Sequence, residues 1–127
     1  MPKVVTINPA GLGEALFPYS QATRAGGFVF LAGQVALDAQ NNVIAPGDAY
    51  QQTEAIIERI RVILAESGLD LENVVSATVF VTSLDVLPDF NRAWADCFGA
   101  HRPARATVVA GLLLDGLVVE VQSIAAA

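Results

Sequence analysis

Residues 48–67 set Ile56, Ile60, Ile63 and Leu64 along one side of a helix and leave Glu54, Glu58, Arg59 and Arg61 mostly elsewhere. Side chains three or four positions apart share a helix face, so this segment carries one apolar stripe that must lie against another element. Asp48 can cap its first turn, and Gly68 supplies the left-handed stop. A second stripe follows at residues 86–98, in Leu87, Phe90, Trp94, Cys97 and Phe98, with Ser83 or Asp85 as its cap. Both have the spacing of helices laid on a sheet.

The strands of that sheet lie before, between and after the helices. Residues 3–7 are a short β-branched stretch and form a first strand. Residues 20–25 and 28–35 flank Gly26-Gly27, the signal for a tight hairpin turn. Phe28-Val29-Phe30-Leu31 is apolar on both faces, which suits a central strand covered on both sides. Residues 38–48 are polar and rich in turn formers. Residues 74–82 form a strand in which Val75, Ala77, Val79 and Val81 share a face. Residues 105–110 and 117–125 give two final strands, joined through a loop containing Asp115-Gly116. The order β-β-β-α-β-α-β-β predicts a single α+β domain over residues 1–127, with two helices on one face of a mixed sheet. The other face then needs a cover.

Composition indicates what that cover is. Of the 127 residues, 54% are hydrophobic and 16% charged. That is more apolar surface than one small core hides, so subunit association is expected. The formal charge of −6 comes without a Lys/Arg cluster, which argues against a nucleic-acid partner. With one cysteine, Cys97, and one histidine, His101, no internal disulfide can form and a Cys/His zinc site has too few ligands. His101 reads as a solvated loop residue. Met1-Pro2-Lys3-Val4 does not begin a secretory signal, and the longest apolar run, residues 106–114, is far short of a membrane span. The expectation is a soluble, cytoplasmic protein with no membrane partner.

Four polar residues break the local pattern, and function often overrides packing at such places. Glu120 interrupts the β-branched run Val118-Val119-Glu120-Val121. Enclosed there, it would titrate high enough for general acid–base work; on an edge strand it would simply face water. Arg105 opens a strand directly after Pro103-Ala104. Its planar fork matches a carboxylate, either that of a small acid or that of Glu120 across the final hairpin. Asn91 falls at helical spacing on the buried stripe between Trp94 and Phe98, where its amide would serve the backbone or a pocket. Tyr19, after Phe17-Pro18, can wall a pocket or simply pack.

Taken in order, six fragments resemble the Rid (YjgF) family over essentially the whole chain. They are Pro18-Tyr19-Ser20-Gln21-Ala22, Ala32-Gly33-Gln34, Val79-Phe80-Val81 followed by Leu84, Phe90-Asn91, Arg102-Pro103-Ala104-Arg105-Ala106-Thr107-Val108, and Val119-Glu120-Val121 leading to Ile124-Ala125. The resemblance implies a chorismate-mutase-like α+β protomer with a six-stranded sheet, assembled as a barrel-like homotrimer with pockets between subunits. It implies hydrolysis of 2-aminoacrylate and related 2-imino acids to 2-keto acids and ammonia, with no cofactor and no metal.

By the same resemblance, Arg105 grips the substrate carboxylate and Glu120 positions or activates the attacking water. Tyr19 and Asn91 line the cleft, and the backbone near Gly33 and Thr107 borders it. Two departures concern substrate range: Ala32 stands where many members have serine, and Thr107 where cysteine is frequent. Two other readings stand beside this one. The first is a specialised pathway deaminase, for instance one acting on 2-aminomuconate. The second is a trimeric ligand-binding or chaperone-like protein without turnover.

Overall fold

A computed structural model describes residues 3–127; Met1 and Pro2, part of the N-terminal reading above, lie outside the described residues. The elements are β1 (Val5–Ile7), β2 (Ala22–Ala25), β3 (Phe28–Val35), α1 (Ala49–Ala65), β4 (Val74–Val81), α2 (Leu87–Phe98), β5 (Ala104–Val109) and β6 (Val119–Ala126). Their order matches the expected one, with short 3₁₀ turns added at Ala10–Leu12, Leu71–Asn73 and Leu84–Val86. The strands form one six-stranded sheet in the order β1-β2-β3-β6-β4-β5.

Local chemistry accounts for the element boundaries. Asp48 caps α1 by accepting from the Gln51 amide at 2.9 Å. Gly68, at φ 69°, lets the chain leave the helix in the left-handed region. Ser83 rather than Asp85 is the cap before the second helix, and it caps the 3₁₀ turn at Leu84–Val86 that leads directly into α2. Gly26 and Gly27 both take positive φ, as the β2–β3 turn requires.

One face of the sheet carries the core. Val29, Leu31, Val79, Val81, Val119 and Val121 pack beneath Ile56, Ile60, Ile63 and Leu64 of α1 and Phe90, Trp94 and Phe98 of α2. Each such aliphatic side chain contributes about 1.5–3 kcal/mol on burial. The other face is uncovered in the single chain, and Phe28 and Phe30 remain 45% and 43% exposed on it.

Several expectations are corrected. Val75 does not share the face of Ala77, Val79 and Val81. The register against β6 slips between Val74 and Ser76, so Val74 turns inward and Val75 outward. The last two strands form no hairpin. β6 inserts between β3 and β4, while β5 pairs in parallel with β4 at the sheet edge, reached through α2 as the crossover. His101 is not free in solvent: its Nε2–H donates to the Val74 carbonyl at 2.7 Å, tying the β5 approach to β4.

Arg59 is the largest surprise of the α1 side. It is only 8% exposed. Its Nε donates to Gln34 Oε1 at 3.0 Å and its Nη1 to the Leu37 carbonyl at 2.9 Å. Gln34 in turn donates to Gln21 Oε1 at 3.0 Å and to the Ala32 carbonyl at 3.2 Å. This buried chain of donors fixes the segment before Ala22 against the end of β3, and burial lowers the pKa of the Arg59 guanidinium.

Candidate active site

β3 is irregular where it passes β6. Leu31 faces Ser123 and Gln34 faces Val121, so Ala32 and Gly33 together oppose Gln122 in a β-bulge. Val35 then pairs with Glu120, which places the Glu120 side chain on the uncovered face, opposite to Val119 and Val121. β6 is an interior strand, so the reading of Glu120 as an edge-strand residue facing water is overturned. The carboxyl is half-buried, and burial raises its pKa above the ordinary glutamate value.

Gly33 leaves the space this carboxyl occupies. A methyl group at position 33 would lie 3.0 Å from Glu120 Cδ and 3.2 Å from Cγ, with the Oε2 oxygen closer still. Replacement of Gly33 by alanine is therefore expected to displace the carboxylate rather than the backbone. Stability should change by less than about 1 kcal/mol, because the yielding group is the end of a flexible side chain. In any reaction that this carboxylate serves, the rate should fall about 100-fold, the scale of an ångström-level misplacement of a reacting group. Thermal melts compared with steady-state rates test this; a variant that loses stability without losing rate contradicts it.

Glu120 and Gly33 open into a cavity of about 350 Å³, with Tyr19 on its wall. Tyr19 is 45% exposed, and among the described residues its hydroxyl has no hydrogen-bond partner. Apolar side chains complete the enclosure, among them Leu16, Phe17, Leu113 and Leu114. The loop bearing the two leucines is held by Gln52. This buried amide donates to the carbonyls of Ile44, Ala45 and Gly116 and accepts from the Val118 amide.

Arg105 lies elsewhere. It pairs with Ala77 on the helix side of the sheet, its Cζ 5.1 Å from the Phe90 ring centre and 5.4 Å from that of Trp94. Stacking on two aromatic rings suits a planar guanidinium, and partial burial lowers its pKa while it stays charged. Its Nη2 donates to Asn91 Oδ1 at 2.9 Å. Asn91 is exposed on the flank of α2 next to β5, not on the buried stripe as the spacing suggested. Beside them lies a second cavity of about 330 Å³, lined by Asn91, Trp94, Arg102, Pro103 and Arg105. Neither Arg102 nor Arg105 has a carboxylate partner among the described residues.

Two groups thus emerge from the residues singled out in the sequence: Glu120 with Tyr19 and Gly33, and Arg105 with Asn91. Thr107 lines neither cavity; it lies exposed on β5, paired with Val79. Within one chain the two groups cannot meet. β4 separates Arg105 from Glu120, the two point to opposite faces, and strand spacing and rise put their Cα atoms roughly 14 Å apart. The alternative of a salt bridge between them is overturned by the same geometry. Arg102, Phe17 and the leucine pair were not singled out as site residues. The apolar run through Leu112-Leu113-Leu114 was the signal available for the leucines, read there only as too short for a membrane.

Among the described residues no three His, Cys, Asp or Glu side chains stand together as a metal-ligand set, and no helix is long and apolar enough to cross a membrane. Cys97 is a free, half-buried thiol whose pKa is pushed up by burial, unsuited to act as a nucleophile.

Comparison with known proteins places the fold in a family. The family model described as Endoribonuclease L-PSP matches residues 12–127. A RutC family protein of Pyrococcus abyssi is 38% identical over 108 residues, covering 85% of each chain. The 3-aminoacrylate deaminase RutC of Acinetobacter baylyi is 35% identical over 125 residues, 98% of each chain. The crystal structure of RidA from the Antarctic bacterium Psychrobacter sp. PAMC 21119 superposes with a TM-score of 0.89 at 30% identity, covering 97% of this chain and 99% of that one. With sequence, sheet order and near-complete coverage in agreement, the chain belongs to the Rid (YjgF) family.

Proposed function

We propose that the protein is an imine/enamine deaminase whose site is completed between two subunits of a homotrimer. The observation that carries this reading is the separation of a guanidinium, without a carboxylate partner among the described residues, from a half-buried carboxylate, on opposite faces of one sheet and each beside an open cavity. A cyclic, head-to-tail arrangement lets the face left uncovered by one chain meet the β5 edge of the next. The arginine of one copy then holds the substrate carboxylate while the glutamate of its neighbour attends the reacting carbon. The relation to a protein named 3-aminoacrylate deaminase supports the same chemistry.

The reaction suits these groups. An enamine tautomerises to its imine, and protonation of nitrogen makes the C=N carbon electrophilic. Glu120 takes a proton from water as the water oxygen bonds to that carbon, giving a carbinolamine. The proton returns to nitrogen, the C–N bond breaks as Glu120 takes the carbinol hydroxyl proton, and the departing ammonia collects that proton, so a 2-keto acid and ammonium leave. Atoms balance with one water, so the protein has to orient an anion, place the water and move protons. Asn91 braces the guanidinium, and the Phe90 and Trp94 rings restrict its orientation.

Generating 2-aminoacrylate or a 2-imino acid in situ and following its disappearance tests the proposal. Acceleration by the protein, with a solution mass near three chains, is the expected result. A clean monomer that accelerates nothing contradicts it. The endoribonuclease named in the family model fits this chain less well: a net charge of −6 repels a phosphate backbone, and the pair Arg102 and Arg105 is small against it.

A further inference from the structure

The cavity at Glu120 has mostly apolar walls. Leu16 and Phe17 form one wall, Leu113 and Leu114 another, and Val35 and Leu37 lie beneath. Leu113 is 79% exposed in the single chain, and Leu16 and Phe17 are exposed with it. Large apolar side chains gathered at one opening are costly to hydrate, and they gain on contact with an apolar ligand. Two consecutive leucines of the loop, Leu113 and Leu114, line it, and Gln52 ties the following turn at Gly116 to the start of α1, so the wall is held in place.

The charges point the same way. None of the residues lining this cavity is cationic, and its only ionisable carboxyl is that of Glu120. A second carboxylate on the ligand would enter a leucine-lined space facing a like charge, and no cation of the same chain lines it. The two guanidiniums of the other cavity, Arg102 and Arg105, suffice for the one carboxylate every 2-imino acid carries. A volume of about 350 Å³ lies at the small end of the range for ligand pockets, enough for a branched aliphatic or single-ring side chain beside the reacting carbon.

From this we infer that the protein selects 2-imino acids, and their 2-oxo products, bearing branched aliphatic or aromatic side chains over the smallest and the dicarboxylic ones. The inference rests on the deaminase reading for its reacting group, but it can be tested without turnover. Titrations of 4-methyl-2-oxopentanoate, phenylpyruvate, pyruvate and 2-oxoglutarate into the trimer measure the stable products directly. One methylene in an apolar pocket changes recognition about 10-fold or more, so the branched acid should bind at least about 10-fold tighter than pyruvate, and 2-oxoglutarate more weakly than the branched acid by a similar factor.

The Leu113→Asn variant, altered at an exposed position, should bring the ratio of branched to small acid towards one. An amino-acid oxidase supplying the imines of leucine, alanine and glutamate gives the matching ratios of kcat/KM. Selective binding with no imine turnover would uphold the apolar selection and refute the deaminase reading. Turnover of all three imines at similar rates, or equal binding of all four acids, would overturn the selection while leaving the deaminase reading intact. An unchanged ratio in Leu113→Asn, confirmed folded by its melting curve, would also overturn it.

Discussion

Arg105→Ala is expected to lower kcat/KM about a thousandfold or more, leaving imine decay near its spontaneous rate. The clamp supplies charge-assisted hydrogen bonds worth about 1.5–3 kcal/mol. Losing it also frees the substrate to rotate, and misorientation alone costs about 100-fold. The fold should survive: Arg105 is exposed on an edge strand, and the variant gives up only its stacking on Phe90 and Trp94 and a hydrogen bond to the exposed Asn91. Arg105→Lys keeps the charge but loses the fork, and should fall between. The measurement is the rate of disappearance of an imine generated in situ, with gel filtration beside it. A wild-type rate in Arg105→Ala would remove the carboxylate clamp from the mechanism.

The opposite placement of Arg105 and Glu120 makes a sharper form of the same test. If each site takes its arginine from one chain and its glutamate from the next, two inactive variants can complement each other. Mixed at equal amounts and allowed to exchange subunits, Arg105→Ala and Glu120→Gln would regenerate about a quarter of the wild-type sites in a closed ring. No recovery in trimers shown to be mixed would place both residues in a single-chain site, which the strand register opposes.

Glu120→Gln carries the second large effect. Removal of a positioned general acid–base group should reduce kcat about 100- to 10,000-fold. Its pH signature follows from burial, which holds the carboxyl above the ordinary glutamate range. The working form is the carboxylate, so wild-type kcat should rise with pH through that raised value, and the variant should lose this limb.

Stability should show the reverse dependence. Between the ordinary and the raised value the folded chain keeps a proton that the unfolded chain has released, so stability falls as pH climbs through this window and stays lower above it. Glutamine has no such proton to lose. Glu120→Gln should therefore be more stable than wild type near neutral pH, with the difference closing below the ordinary glutamate range. Denaturant melts at the two ends of that range decide it; a variant less stable at neutral pH would show that the carboxylate is held by favourable contacts instead.

Much of this site was visible in the sequence because the cues are short-range. Glu120 stands out against Val119 and Val121, and the period of two already places it on the face opposite to theirs. The bulge at Ala32-Gly33 was not visible, since nothing in three residues says that the ladder to a distant strand will slip there. Asn91 misled for a related reason. Helical spacing gives its angle on α2 correctly, yet whether that flank is covered depends on β5, an edge strand that leaves it open to Arg105. Arg59 was placed with the polar residues of α1, and only the carbonyl of Leu37 and the amide of Gln34 make its burial tolerable.

What the amino-acid sequence determined by itself is everything that one turn of helix or one pair of strand residues can encode. That includes both apolar stripes, the Asp48 cap, the turn at Gly26-Gly27, the one-sided covering of the sheet and the identities of the two charged groups. What the tertiary structure alone decided is which strands are neighbours. β6 joins β3 and β4 across more than eighty and about forty residues of chain respectively, and hydrogen bonding along a strand carries no label for its partner. That pairing puts a strand between Arg105 and Glu120 and turns them to opposite faces, so the geometry of their separation, rather than their presence, is the ground for the proposed two-subunit site.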